Sequence, residues 1–149
     1  MADGAGRTVH ASAVLVGAKA VLIRGASGAG KSRLVLGLLE AARAGSLSFA
    51  RLVADDRVLL EAAHGRLLAR TPAPIAGLVE ERGRGVLACR YEPVAVVGLV
   101  VDLDAADGAR MPDGLALKTV VEGVIVSRLP VAPGCDPLPL VLSLLQGRR

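Results

Sequence analysis

Aromatic side chains are all but missing: the 149 residues contain no tryptophan, one phenylalanine (Phe49) and one tyrosine (Tyr91). Such a chain has no platform on which successive bases could stack, which argues against nucleic acid as a partner. Its core must come from Val, Leu, Ile and Ala, and a 52% hydrophobic content with mean hydropathy +0.52 supplies the material and excludes disorder. Cysteine is scarce too. Cys89 and Cys135 show neither CxxC nor metal-ligand spacing, so reduced thiols in a cytoplasmic protein are expected. Long apolar runs are also lacking. The one near the N-terminus, Ala11 to Ile23, is interrupted by Gly17 and Lys19, is too short to span a bilayer and carries no signal-peptide cleavage pattern. No membrane partner is therefore expected. The net charge of +4 comes from scattered arginines, which reads as solubility rather than a nucleic-acid footprint.

What is present is a succession of short apolar runs and turn signals, in a length that fits one domain over residues 1–149. "AVLVG" and "AVLIRG" (Ala13–Gly17, Ala20–Gly25) predict two strands around a tight turn. "KSRLVLGLLEAAR" sets Leu34, Leu38 and Ala41 near one helical face over 31–43, with Gly45 as its stop. "RLVADDRVLLE" reads as a strand, a polar break and more strand, and "AAHGRLLAR" as a hairpin about His64-Gly65. Residues 71–84 read as surface loop with a short extended piece. Pro93 to Asp104 is the clearest buried strand, and "DGARMPDG" is loop. "LALKTVVEGVIVSRLPV" predicts two strands broken near Glu122-Gly123, and Asp136 caps a final helix with Pro137 at its first position. The fold class is α/β, strand-rich with few helices and without a repeating βαβ pattern.

The chemistry begins at "RGASGAGKSRL". Gly25-x-x-x-x-Gly30-Lys31-Ser32 has the spacing of a phosphate-binding loop, and a strand before it with a helix after it is the context that motif requires. Across Gly25, Ala26, Ser27, Gly28, Ala29 and Gly30 the glycines let backbone N–H groups turn inward onto phosphate oxygens, and the helix N-terminus adds partial positive charge. Lys31 can neutralise the β- and γ-phosphates, and the Ser32 hydroxyl can reach a Mg²⁺ ion. Nucleotide binding follows. The reaction does not.

A P-loop enzyme also needs carboxylates for metal and acceptor. "VADD" puts Asp55 and Asp56 just after an apolar strand. Adjacent side chains on an extended chain point to opposite sides, so one can take the acceptor proton while the other holds metal or water. In isolation an Asp pair at a strand end is a turn signal; beside a P-loop in so short a chain, the chemical reading is preferred. "GLVEERGRGV" brings Glu80, Glu81 and Arg82 beside Gly83 and Gly85. Taken alone it is a charged, solvated loop, and His10 and Arg110 are surface residues.

Together these motifs resemble the catalytic domain of the bacterial HPr kinase/phosphorylase family. "GASGAGKS" resembles its P-loop, "RLVADDRV" its VADD segment, "GLVEERGRGV" its Glu-x-Arg-Gly-x-Gly signature, and "LPVAPGCD" its Pro-Val-Arg-Pro-Gly-Arg-Asn loop. The order matches over nearly the whole chain. The resemblance implies a P-loop kinase domain of the HPr kinase/phosphoenolpyruvate carboxykinase type, using ATP and Mg²⁺ to phosphorylate a serine of an HPr-like phosphocarrier. It further implies reversal by inorganic phosphate, a homo-oligomer (hexameric in the family), and a short form that starts at the catalytic domain. Residue by residue, Lys31 and Ser32 match the nucleotide and Mg²⁺ positions, Asp56 with Asp55 as neighbour the proton acceptor, and Glu80 a metal ligand. His10 matches the active-site histidine and Arg110 the catalytic arginine. The chain departs from the pattern at Arg33, where an acidic residue is common, in added residues around "AGSLSFA", and at Ala132 and Cys135, where the loop associated with dephosphorylation has arginines. Those last two oppose the phosphorylase reaction more than the kinase reaction. The alternatives are a P-loop kinase for a small molecule and a nucleotide-sensing module without phosphotransfer.

Overall fold

The computed structural model describes residues 7–108 and 113–147. Strands β1 (Arg7–Val9), β2 (Ala11–Val16) and β3 (Lys19–Arg24) lead into helix α1 (Lys31–Arg43). After it come β4 (Ala50–Ala54), β5 (Val58–Ala63) and β6 (Arg66–Arg70), then β7 (Leu78–Glu81) and β8 (Gly85–Ala88). The chain continues through β9 (Val94–Asp102), β10 (Lys118–Val121) and β11 (Val124–Pro130) into helix α2 (Pro137–Gln146). No helix among the described residues is long and apolar enough to cross a membrane.

Local sequence explains most boundaries. α1 ends in a Schellman arrangement: Gly45, at φ +90°, donates its N–H to Ala42 O, and Ser46 donates to Ala41 O. The hairpins β5–β6 and β10–β11 turn on His64-Gly65 and Glu122-Gly123, both residues of each pair at positive φ, the primed turn whose twist suits antiparallel strands. Asp136 caps α2 by accepting from Leu138 N–H, with Pro137 at the first helical position.

The strands form one large sheet in the order β1-β5-β6-β9-β3-β2-β4, with β11 also paired to β9 and β10 to β11. β9 joins its two halves. Val94, Ala95 and Val96 pair antiparallel with β6, while Leu99 to Asp102 lie between β3 and β11, parallel to both. Each half encloses a core. Alternation along β2 sends Ala11 and Ala13 into one, with Leu22, Leu60, Leu67 and Val100, and Val14 into the other, with Ile23, Leu34, Val35, Leu38 and Val101 beneath α1 and α2. The helices cover one face and the β1–β5–β6 layer folds over the other.

One reading of the sequence changes. Residues 71–84 are more than loop: β7 and β8 form a separate two-stranded sheet whose inward anchor is Val79, packed in the α1 core. With one buried side chain in β7, the apolar pattern is a single residue long. The strand, polar break and further strand expected of "RLVADDRVLLE" are present as β4, residues 55–57 and β5, with β4 on β2 and β5 between β1 and β6.

Candidate active site

The glycine loop lies where three parallel strands end. Leu103 N–H donates to Arg24 O and Val131 N–H to Asp102 O, both at 2.9 Å, tying the ends of β3, β9 and β11 side by side. This C-terminal edge is where open parallel sheets hold their ligands. Gly28 and Gly30 take φ +86° and +106°, and a Cβ on either would meet nothing within 4 Å, so the loop is concave and open. Gly30 occupies the N-cap of α1 and has no side chain to compete for the first-turn amides, the kind of helix end that can bind an anion.

Around this cradle four polar side chains converge. Lys31, 5% exposed, lays its ammonium on the loop, donating to Gly25 O at 2.8 Å and Ala26 O at 3.2 Å, with Asp56 Oδ1 at 3.9 Å. The Ser32 hydroxyl lies 2.8 Å from both oxygens of Asp55. Asp55 is buried and also accepts from the Ser12 hydroxyl at 2.8 Å and from Glu80 N–H at 3.0 Å. Asp56 is exposed. The two aspartates thus point apart, Asp55 clamped inward and Asp56 toward solvent beside Lys31, across a left-handed residue at Asp56 (φ +67°).

Below the loop sits a charged pair of arginines around one carboxylate. Arg24, directly before Gly25, donates to Asp102 through Nε at 2.6 Å and Nη2 at 2.7 Å, and Arg128 Nε donates to the same carboxylate. Arg128 also binds Asp107 and Ala116 O. Burial raises the Asp102 carboxyl, but hydrogen bonds from Arg24 and Arg128 outweigh it and hold the group below the usual carboxylate range. Asp102 ends the strand next to the P-loop strand, yet both its oxygens are committed to arginines. Cys89 packs at the edge of the α1 core, and burial first, then the Asp55 charge, push its thiol up.

The residues singled out from the sequence distribute as follows. Gly25 to Ser32, Asp55 and Asp56 come together in one site. Glu80 reaches it through its backbone N–H, while its side chain is exposed on the β7–β8 hairpin. His10 is exposed at a bend before β2, where Ala11 pairs with Arg24, so it stands at the start of the loop; it has no hydrogen-bond or ion-pair partner among the described residues. Arg110 lies outside the described residues. Ala132 and Cys135 close a turn, Cys135 N–H to Ala132 O, directly after the β11 end that abuts the P-loop edge. Two participants were missed. Ser12 is fully buried between Asp55 and Asp56, and its one available signal was a lone hydroxyl inside the apolar run "ASAVLV". The Arg24–Asp102–Arg128 group had no local signal at all.

Comparison with known proteins bears on the fold and the family. A solved structure of an Hpr(Ser) kinase/phosphatase from Coxiella burnetii superposes with TM-score 0.73 over 96% of this chain and 90% of that one, at 24% identity, which establishes a shared fold. An HPr kinase/phosphorylase from Halalkalibacterium halodurans is 33% identical over 139 residues, covering 85% of this chain and 43% of the relative. One from Lactobacillus acidophilus is 35% identical over 81 residues, 54% of this chain and 23% of the relative. The chain thus spans less than half the length of these relatives. Residues 4–134, from before β1 to the turn ahead of α2, match the HPr serine kinase C-terminal domain, and with that match the chain belongs to the HPr serine kinase C-terminal domain family.

Proposed function

We propose that this chain is a phosphotransferase domain that moves the γ-phosphoryl group of ATP to a serine of an HPr-like phosphocarrier. The observation that carries the reading is the convergence of Lys31, Ser32, Asp55 and Asp56 on an open phosphate loop, with one aspartate held inward and one exposed beside Lys31. Serine is a weak nucleophile, and an exposed carboxylate at the mouth can accept its proton as the new O–P bond forms and the β–γ bridging bond breaks to release ADP. Lys31, 3.9 Å from Asp56, then lies between base and phosphates and can shift from the loop carbonyls to the transferring group.

The donor set fits magnesium. Ser32 Oγ and the Asp55 carboxylate are hard oxygen ligands 2.8 Å apart, with exposed Glu80 on the adjoining strand. Among the described residues no group of three His, Cys, Asp or Glu side chains could hold an ion unaided. That suits Mg²⁺, which takes one or two carboxylates and completes its shell with phosphate oxygens and water. Bound there, the ion would offset charge on the phosphate oxygens.

The reverse reaction belongs to the same site in fainter form. An attacking inorganic phosphate needs added positive charge, and the turn beside the P-loop offers Ala132 and Cys135 there. Self-association is part of this reading as well; the exposed cross-strand pair Val120 and Ile125 on β10–β11 supports it. A cytoplasmic location follows from the substrate.

The test is transfer of label from γ-labelled ATP with Mg²⁺ to a purified HPr. Acid-stable label on serine is expected, absent with Lys31→Ala and Asp56→Asn, the latter still binding ATP. Full transfer by Asp56→Asn sinks the assigned base. Nucleotide binding without label would turn the reading to a nucleotide-sensing module, and ATP turnover with metabolites alone to a small-molecule kinase.

A further inference from the structure

The hydroxyl of Ser12 is fully buried on β2, beyond reach of any substrate, yet it joins both aspartates. It donates its one proton to Asp55 Oδ1 at 2.8 Å and accepts from Asp56 N–H at 2.9 Å. The other groups on Asp55 are the Glu80 N–H, from a two-stranded hairpin outside the main sheet, and the Ser32 hydroxyl. The Ser32 hydroxyl is also called on by a metal or phosphate at the loop. Ser12 has no such duty. β2 runs between β3, which carries the P-loop, and β4, which carries the aspartates, so the hydroxyl fastens the aspartate turn to the strand beside the loop. Asp56 needs that fastening most, because it stands at φ +67° with an exposed side chain.

We propose that Ser12 is a positioning residue for phosphotransfer: its hydroxyl fixes the Asp55–Asp56 turn so that Asp55 faces Ser32 while Asp56 faces Lys31. The proposal rests on the phosphotransfer reading above, and its test has one arm that does not need activity. Without the hydroxyl Asp55 loses a donor, Asp56 N–H loses its acceptor, and the base loses its fixed distance from Lys31.

The experiment compares Ser12→Ala and Ser12→Thr with the unmodified chain, in transfer kinetics and in hydrogen exchange at the Asp56 amide. Ser12→Ala should lower kcat about 10- to 100-fold, as loss of a supporting hydrogen bond does at such sites. The KM for ATP should stay within about threefold, since the loop itself is untouched. Ser12→Thr, which returns the hydroxyl, should recover most of kcat. The Asp56 amide should exchange at least about tenfold faster in Ser12→Ala than in the other two. A Ser12→Ala variant with unchanged kcat overturns the proposal, as does a rise in KM that accounts for the whole loss. Should the unmodified chain transfer no phosphate, the phosphotransfer reading has failed and the amide decides: faster exchange in Ser12→Ala upholds the clamp, unchanged exchange overturns it.

Discussion

Asp102→Asn removes one charge from beneath the phosphate loop and changes almost no volume. The carboxylate is 16% exposed and receives three guanidinium hydrogen bonds, from Arg24 at 34% and Arg128 at 13% exposure. Hydrogen bonds to charged groups contribute roughly 1.5–3 kcal/mol each when broken singly, and breaking a buried pair costs roughly 3–5 kcal/mol. Arg24 is partly solvated and Arg128 retains Asp107 and Ala116 O, so the total is discounted to about 2–4 kcal/mol. For a domain of this size that corresponds to a melting temperature lower by about 5–15 °C at neutral pH. The sign of the pH dependence follows from the depressed carboxyl. Its folded value lies below the unfolded one near 4, so the stabilisation is complete above about pH 4–5 and is lost as pH falls through the folded value. Urea unfolding of both proteins from pH 7 downward into the acid range reads the gap directly. It should be wide at pH 7 and close toward the acid end. A gap of the same width at every pH would mean that the variant fails by misfit rather than by lost charge pairing, and no gap at pH 7 would refute the reasoning outright.

Leu38→Ala empties a fully buried site beneath α1 and should cost about 2–5 kcal/mol, read as a drop in the urea midpoint at constant slope. Lys31→Met keeps the apolar stem but removes the ammonium; the thermal upshift given by saturating ATP, about 2.7 kcal/mol at a hundredfold excess over Kd, should vanish from it. Alkylation followed by mass spectrometry should modify exposed Cys135 before Cys89, whose thiol is raised by burial and by Asp55; the opposite order would contradict the packing of Cys89.

Much of this was legible because the information is local. The P-loop is a spacing, α1 a period closed by Gly45, and the Asp136-Pro137 start of α2 a cap. That the aspartate pair lies beside the loop was legible from its company with the P-loop spacing. What could not be read lies between residues far apart in sequence: Arg24 is 78 positions from Asp102 and Ser12 is 43 from Asp55. A buried hydroxyl announces that it needs a partner, not which one. The β7–β8 hairpin escaped because its hold on the core is buried Val79 with half-buried Leu87, too few apolar positions to make a pattern.

The aspartate pair sits in the break between β4 and β5. β4 ends at Ala54 beside β2 and β5 begins at Val58 beside β1, so residues 55–57 carry the chain onward in the same antiparallel sense, past the one-residue bend at His10 that separates β1 from β2. The two side chains point apart, as strand alternation alone would have them, and the chain passes through a left-handed residue at Asp56, a conformation costing roughly 1–2 kcal/mol for most side chains and less for Asp or Asn. On the proposed phosphotransfer reading the identity of residue 56 is set twice, by a turn that favours a short polar side chain and by a reaction that needs a carboxylate. Alanine or valine there would disturb both requirements at once. Asparagine keeps the turn and removes the base, so a loss of transfer in Asp56→Asn speaks to the chemistry and not to the fold.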